Sequence, residues 1–301
     1  MGAVSPVVDT EACVGCGACV AVCPTHLLSM ADGKAAATGA QCIGCGHCAA
    51  VCPSGAVAVP AGDGWAERYA TFRPTGAMIQ PGGADAGALV DLFRSRRSCR
   101  VFRDEEVPGP MLEDLVRAAV TAPSGTNSQA WTFSVLTSRA AVVALGEAVA
   151  GFYTRLNRLA KQPLLRRLLG LIGRRELETY YQAYYPSVRQ ALLDWEHGRA
   201  DRLFYDAPAA VVVGSRPRAS CPAEDAMMAT QNLLLVAHAM GLGTCLIGYA
   251  VAAMEHDRRV TVAAGLPADE RAYAVIAVGW PGVRFVRPTT RRRPVVRYKT
   301  A

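Results

Sequence analysis

One twelve-residue cysteine run occurs twice near the start of the chain and limits what that segment can fold into. "CVGCGACVAVCP" at 13–24 and "CIGCGHCAAVCP" at 42–53 agree at nine of twelve positions, with a constant offset of 29 residues. This is an internal duplication. Each copy spaces its thiols C-x₂-C-x₂-C-x₃-C and stops at a proline: Cys13, Cys16, Cys19 and Cys23 before Pro24, then Cys42, Cys45, Cys48 and Cys52 before Pro53. Eight of the eleven cysteines lie in these two runs. Tight clusters in a chain without secretory features point to metal rather than disulfides.

The spacing has a chemical reason. Three thiolates set two residues apart can wrap three irons of a [4Fe–4S] cubane, while Gly15, Gly17, Gly44 and Gly46 let backbone amides approach its sulfides. Four-cysteine zinc sites favour paired C-x₂-C knuckles separated by a longer gap, so zinc is disfavoured. Residues 5 to 60 resemble a bacterial two-cluster ferredoxin. In that family the fourth cysteine of each run serves the other cluster. The resemblance therefore implies Cys13, Cys16, Cys19 and Cys52 for one cluster, and Cys42, Cys45, Cys48 and Cys23 for the other. A domain of about 60 residues has a marginal core, so its clusters should supply much of the folding energy.

The chain has 301 residues, 51% of them hydrophobic, enough for two domains with buried cores. No run of about 18 apolar residues occurs, and "MGAVSPVVDTEAC" has no basic region ahead of an apolar one, so neither membrane span nor signal peptide is expected. A cytoplasmic location is expected. Residues 1–60 carry three acids against one lysine, whereas the whole chain is +7, so positive charge belongs to the remainder. No helix-turn-helix or RNA-binding signature accompanies it, and no nucleic-acid partner is expected.

The expected organisation is a ferredoxin-like domain at 1–60, a Gly/Pro-rich linker at 61–88 and a second domain at 89–301. Trp65, Tyr69 and Phe72 are large apolar groups for a free linker, so it should pack along the second domain. Leu89, Val90, Leu92 and Phe93 keep a helical face, and Pro110 opens a second helix. "WTFSVLT" (131–137), "AAVVVGS" (209–215) and "AYAVIAVGW" (272–280) read as strands. "MMATQNLLLVAHAMGLG", apolar on almost every side, reads as a buried central helix stopped at Gly241. No G-x-G-x-x-G follows a strand, which disfavours a Rossmann domain.

"RRSCRVF" at 96–102, "APSGTNSQAW" at 122–131 and "TTRRRP" at 289–294, ordered around that helix, resemble the nitroreductase family of flavin enzymes over residues 89–298. The resemblance implies an α+β fold, with the small two-cluster ferredoxin domain fused to a mixed-sheet domain built on a buried central helix. It implies an obligate homodimer with FMN at the interface. Arg96, Arg97, Ser98 and Arg100, with Arg291 and Arg293, would hold the FMN phosphate and ribityl chain through planar guanidinium forks. Pro123, Ser124, Gly125, Asn127 and Gln129 would line the isoalloxazine from the second subunit. Leu246, Ile247 and Gly248 would contact the ring, with amides available to the anionic reduced flavin. The family loop reads Q-P-W where this chain has Gln129, Ala130 and Trp131.

Residues 151–175 hold seven basic groups and no acid among leucines. They read as part of a variable cap (151–205) over the flavin, followed by aromatics suited to a planar substrate. Peripheral contact with an anionic membrane is the less favoured alternative. Of the cysteines outside the runs, Cys99, Cys221 and Cys245, the first and last read as packed, as does His238, although arginines beside Cys99 would favour a thiolate. The functional expectation is an FMN-dependent oxidoreductase. Electrons would come from an external low-potential donor of ferredoxin or flavodoxin type and pass through two [4Fe–4S] clusters to FMN; NAD(P)H acting directly at the flavin is the less economical donor. A small organic acceptor would take them up: a nitroaromatic, a quinone, an activated alkene or a related compound such as a substrate for reductive dehalogenation. The alternative is a non-catalytic electron-transfer or flavin-storage protein. No proton donor can be named from the sequence.

Overall fold

The computed structural model describes residues 5–39, 41–60, 62–217 and 219–300. The expected domain limits at 1, 61 and 301 fall outside these. In the N-terminal segment the duplication is visible as two half-units. Strands β1 (Val7–Val8), β2 (Leu28–Ala31), β3 (Lys34–Ala37) and β4 (Val57–Ala58) alternate with the one-turn helices α1 (Ala18–Ala21) and α2 (His47–Ala50). β1 pairs antiparallel with β4, and β2 with β3. The β2–β3 turn is Asp32-Gly33, with both φ angles positive at 50° and 76°, the conformation a two-residue hairpin requires. Gly15 also needs its missing side chain, since a Cβ there would lie 2.3 Å from the Gly33 carbonyl oxygen.

The C-terminal portion carries α3 (Ala86–Ser95), α4 (Gly109–Ala119), β5 (Trp131–Leu136), α5 (Arg139–Ala160), α6 (Pro163–Leu171), α7 (Glu176–Ala183) and α8 (Tyr185–Glu196). It continues with β6 (Ala209–Ser215), α9 (Pro222–Ala239), β7 (Gly243–Leu246), α10 (Gly248–His256), α11 (Arg258–Ala263) and β8 (Arg271–Gly279). The three strands legible in the sequence become β5, β6 and β8. They form a four-stranded sheet of order β5-β6-β8-β7, in which every neighbouring pair is antiparallel. Parallel pairing among the described residues is confined to the isolated bridge between Ser98 and Thr244. The mixed character of the sheet thus rests on the place where the chain after α3 meets β7.

Continuous apolar runs in β6 and β8 follow from burial on both sheet faces. Ala209, Val211 and Val213 of β6, with Ala274, Ile276 and Val278 of β8, pack into a core with α4 and α9. The alternate residues Ala210, Val212, Val275 and Ala277 join α5, α10 and α11 on the other side.

α9 starts five residues before the expected "MMATQ" segment because Pro222 is pre-organised for a first helical turn. It is not enclosed all round: Met227 and Met228 are 44% and 48% exposed. α3 likewise begins at Asp85, whose carboxylate accepts from the amides of Gly87 and Ala88. The apolar groups of α3, Leu89, Val90 and Phe93, are all exposed, and so are Val286 and Tyr298 of the irregular C-terminal tail. These apolar groups are left uncovered by the chain itself.

The chain between the two portions is strapped to α4. The backbone amides of Ala70 and Thr71 and the Thr71 hydroxyl donate to the buried Asp114 carboxylate at 2.7–3.0 Å. Trp65 Nε1 donates to Glu113, and Arg117 stacks 4.9 Å above the Trp65 ring.

Candidate active site

The arginines of "RRSCR" lie where α3 ends against β7. Ser98 bridges to Thr244, and the Cys99 amide donates to the Thr244 carbonyl at 2.8 Å. Arg97 donates to Thr289 Oγ1 at 2.5 Å, and Arg291 donates to the same oxygen at 2.9 Å. Thr289 thus ties two arginines that are remote in sequence, a role nothing in the sequence pattern disclosed. Burial, and then the like charges of Arg97 and Arg291, lower the pKa of Arg96. Among the described residues, none of Arg96, Arg97, Arg100, Arg291 or Arg293 forms an ion pair with a carboxylate. Like charges gathered without a counter-ion are an anion site in the making. Arg293 lies in the exposed tail and makes no hydrogen bond among the described residues.

Next to this cluster opens a cavity of about 910 Å³. Leu246, Ile247 and Gly248 line it where β7 turns into α10, whose first amides have no intrahelical acceptor. Tyr153, Tyr180 and Tyr249 form aromatic walls, Leu165 and Leu169 of α6 cover it, and Arg100 and Arg174 are among its polar lining. Burial pushes the Tyr153 and Tyr180 phenols up, so both stay neutral donors, to the Tyr249 carbonyl and Asn157 Oδ1 respectively.

The "PSGTNSQ" loop is elsewhere, at the opposite end of α9. Asp225, buried in the first turn of that helix, accepts from the Gly125 amide at 2.8 Å and the Ser128 hydroxyl at 3.1 Å, and its carbonyl accepts from Trp131 Nε1. Sequence reading missed Asp225; its only signal was an acid near a helix start. Ser124 Oγ accepts from the Gln129 amide, and Pro123 is exposed. Thr126, Asn127 and Gln129 all have positive φ, 52°, 55° and 45°. A proline at 130 would hold Gln129 in extended conformations; Ala130 lifts that restriction. Gln129 Nε2 donates to Asn127 Oδ1, and Asn127 Nδ2 donates to the Ile43 carbonyl, each at 3.0 Å. Asn127 therefore touches the second cysteine run.

Three thiols of that run, Cys42, Cys45 and Cys48, line a second, small cavity together with Cys23 of the first run. Cys13 and Cys16 lie close enough to Cys19, and Cys52 close enough to Cys13, for their charges to act on them. The duplication extends to sulfur hydrogen bonding. Leu27 N donates to Cys23 Sγ at 3.3 Å and Ala56 N to Cys52 Sγ at 3.2 Å, each four residues on. Burial pushes the Cys23 thiol up, but bonds from Thr25 and neighbouring amides outweigh it and bring it to about 7. Both sets offer the soft thiolate donors and N–H···S contacts a cluster uses.

Residues 93–280 match the Nitroreductase family model. The chain belongs to the nitroreductase family. Residues 5–59 match a 4Fe-4S dicluster domain. Among curated proteins, a Drosophila melanogaster iodotyrosine deiodinase is 42% identical over 62 residues, covering 20% of this chain and 21% of its own. A 4-nitrobenzoate reductase of Nocardioides sp. strain LMS-CY is 30% identical over 177 residues, covering 51% of this chain and 66% of its own. The chain thus spans less than two thirds of either relative. An FMN-bound nitroreductase structure from Bacteroides fragilis superposes with a TM-score of 0.53 at 19% identity, covering 72% of this chain and all of that one, and shows a shared fold.

Within this nitroreductase-family domain the remaining candidates are packed groups. Cys99 is buried, burial raises its thiol, and its sulfur donates to the Val101 carbonyl, so the neighbouring arginines do not make it a thiolate. Burial likewise raises Cys245, against the opposing pull of Arg100 and Ser98. His238 is lowered by burial and then by Arg96; the Ser98–Thr244 bridge, five residues beyond α9, sets the arginine cluster by the C-terminal end of that helix. Among the described residues no helix is long and apolar enough to cross a membrane.

Proposed function

We propose that this chain is a homodimeric FMN-dependent reductase that takes electrons through two [4Fe–4S] clusters and delivers them to a small planar organic acceptor. The observation that carries the reading is the group of arginines without carboxylate partners, Arg96, Arg97 and Arg291, set beside the aromatic cavity. A phosphate monoester offers the charge and oxygens that such planar forks take bidentately. Bound there, FMN would exchange single electrons with clusters and electron pairs with organic molecules. Leu246, Ile247 and Gly248 would orient the ring, and the opening amides of α10 would favour negative charge on it. α5, α6 and α7 would act as the cap that excludes water and stacks the acceptor against tyrosines. Cys13, Cys16, Cys19 and Cys52 would hold one cluster, and Cys42, Cys45, Cys48 and Cys23 the other.

A second copy is part of the proposal. The loop at 124–129 sits at Asp225 and the arginines sit near His238, thirteen helical residues apart, which is about 20 Å along α9. One chain does not bring both to one flavin. A two-fold axis crossing the middle of α9 would, and it would also cover Met227 and Met228, which are exposed in one chain.

Anaerobic purification with iron, sulfide and flavin assays tests the reading. About eight irons and one FMN per chain are expected, with flavin absorbance lost on reduction and regained on adding an anoxic nitroaromatic or enone. Two irons or fewer, no flavin after reconstitution, or no reoxidation by any acceptor would overturn it.

A further inference from the structure

We infer that the clusters of one protomer reduce the flavin held by the arginines of the other, and that the cluster of Cys23, Cys42, Cys45 and Cys48 is the point of exit. This rests on the dimeric flavin reading above. Ile43 lies between two ligands of that cluster, and its carbonyl accepts from Asn127, which in turn accepts from Gln129. A Cβ on Gly44 would lie 3.8 Å from Asn127 Nδ2, so the cluster loop lies against the tip of the 124–129 loop. Among the described residues, no hydrogen bond links that loop to residues 13–19. The ferredoxin half is thus attached at the N-terminal end of α9, whereas its own chain's arginines lie by the C-terminal end, where Ser98 bridges Thr244 five residues beyond the helix, about 20 Å further along it. Where the two-fold joins opposite ends of α9, the near arginines are the partner's.

The electron count is simple. A low-potential one-electron donor reduces the clusters of one protomer, and each passage oxidises the exit cluster by one electron. Two passages would reduce the partner-held FMN by two electrons, with one proton from solvent, leaving the anionic ring that the opening amides of α10 would favour.

Heterodimers assembled from differently tagged chains test this. Cluster-deficient chains carry Cys42→Ala and Cys45→Ala; flavin-deficient chains carry Arg96→Gln and Arg97→Gln. Each heterodimer holds one working cluster pair and one flavin, verified by iron and flavin content. With the lesions on different chains, stopped-flow mixing with reduced methyl viologen should bleach the flavin as in wild type. With both lesions on one chain, the fast bleaching should be lost. Bleaching only in the second arrangement, in both, or in neither overturns the inference. If the cysteine variants do not fold, Asn127→Ala replaces them. It should slow bleaching when placed on the chain whose arginines are changed and not when placed on the other; slowing in the reverse placement, in both or in neither also overturns the inference. A wild-type dimer that lacks flavin or never bleaches would instead sink the underlying function.

Discussion

At Asp114 a fully buried carboxylate gathers three donors from residues 70–71 and a fourth from Arg117, 3.0 Å away. A buried charge is tolerated only when its lone pairs are filled this completely. Burial alone would raise its pKa; the bonds from Thr71, Ala70 and Arg117 overcome this and hold it below the usual 3.8. The unfolded chain therefore takes up a proton more readily than the native one as pH falls. The stabilisation is complete above about pH 5 and declines as pH drops below 3.8 through the native value. Asp114→Ala should cost about 3 kcal/mol by urea unfolding at pH 7. The gap between wild type and Asp114→Asn should stay flat down to about pH 5 and narrow below it; a gap that widens on acidification would show that another group dominates. Asp114 was not visible as important from sequence. Its partners lie 43 and 44 residues earlier, and one acid in an amphipathic helix looks like any solvated one.

Among the elements, β6 and β8 were legible because both of their faces are covered and their apolar runs are unbroken. β7 was not, since four residues bearing a glycine and a threonine give no periodicity. α9 was legible as a helix but read as buried all round, because sequence hydrophobicity cannot say whether a methionine is covered by its own chain or by another. The arginine motifs were readable by composition, yet Thr289, which joins them, and Asp225, which holds the opposite loop, act through contacts about 100 residues or more away. Met227→Asp with Met228→Asp places charge on the exposed stripe of α9. Burying it in an apolar interface costs several kcal/mol. Sedimentation velocity should show monomers, and flavin should be lost with the dimer although neither residue lies by the arginines. Retained flavin in a monomeric variant would mean that one chain suffices.

For the whole molecule, stability is unevenly divided. Among the described residues, the buried cluster of the ferredoxin half has seven members and three are cysteines, Cys13, Cys19 and Cys48, so little apolar material remains in it once the ligands are discounted. The sheet of the larger half is covered on both sides. Iron chelation should remove a low-temperature calorimetric transition and leave the main one in place; a single transition that shifts as a unit would show the halves melt together. The strap on α4 has a further consequence. Residues 73–84 are exposed throughout, whereas the anchoring contacts at Trp65, Ala70 and Thr71 precede them. A protease that nicks this stretch severs the polypeptide without severing the attachment: the released piece carries its own clasp. The peptide bond then acts mainly to raise the local concentration of one half around the other, and the same two parts encoded as separate chains would still recognise each other through α4.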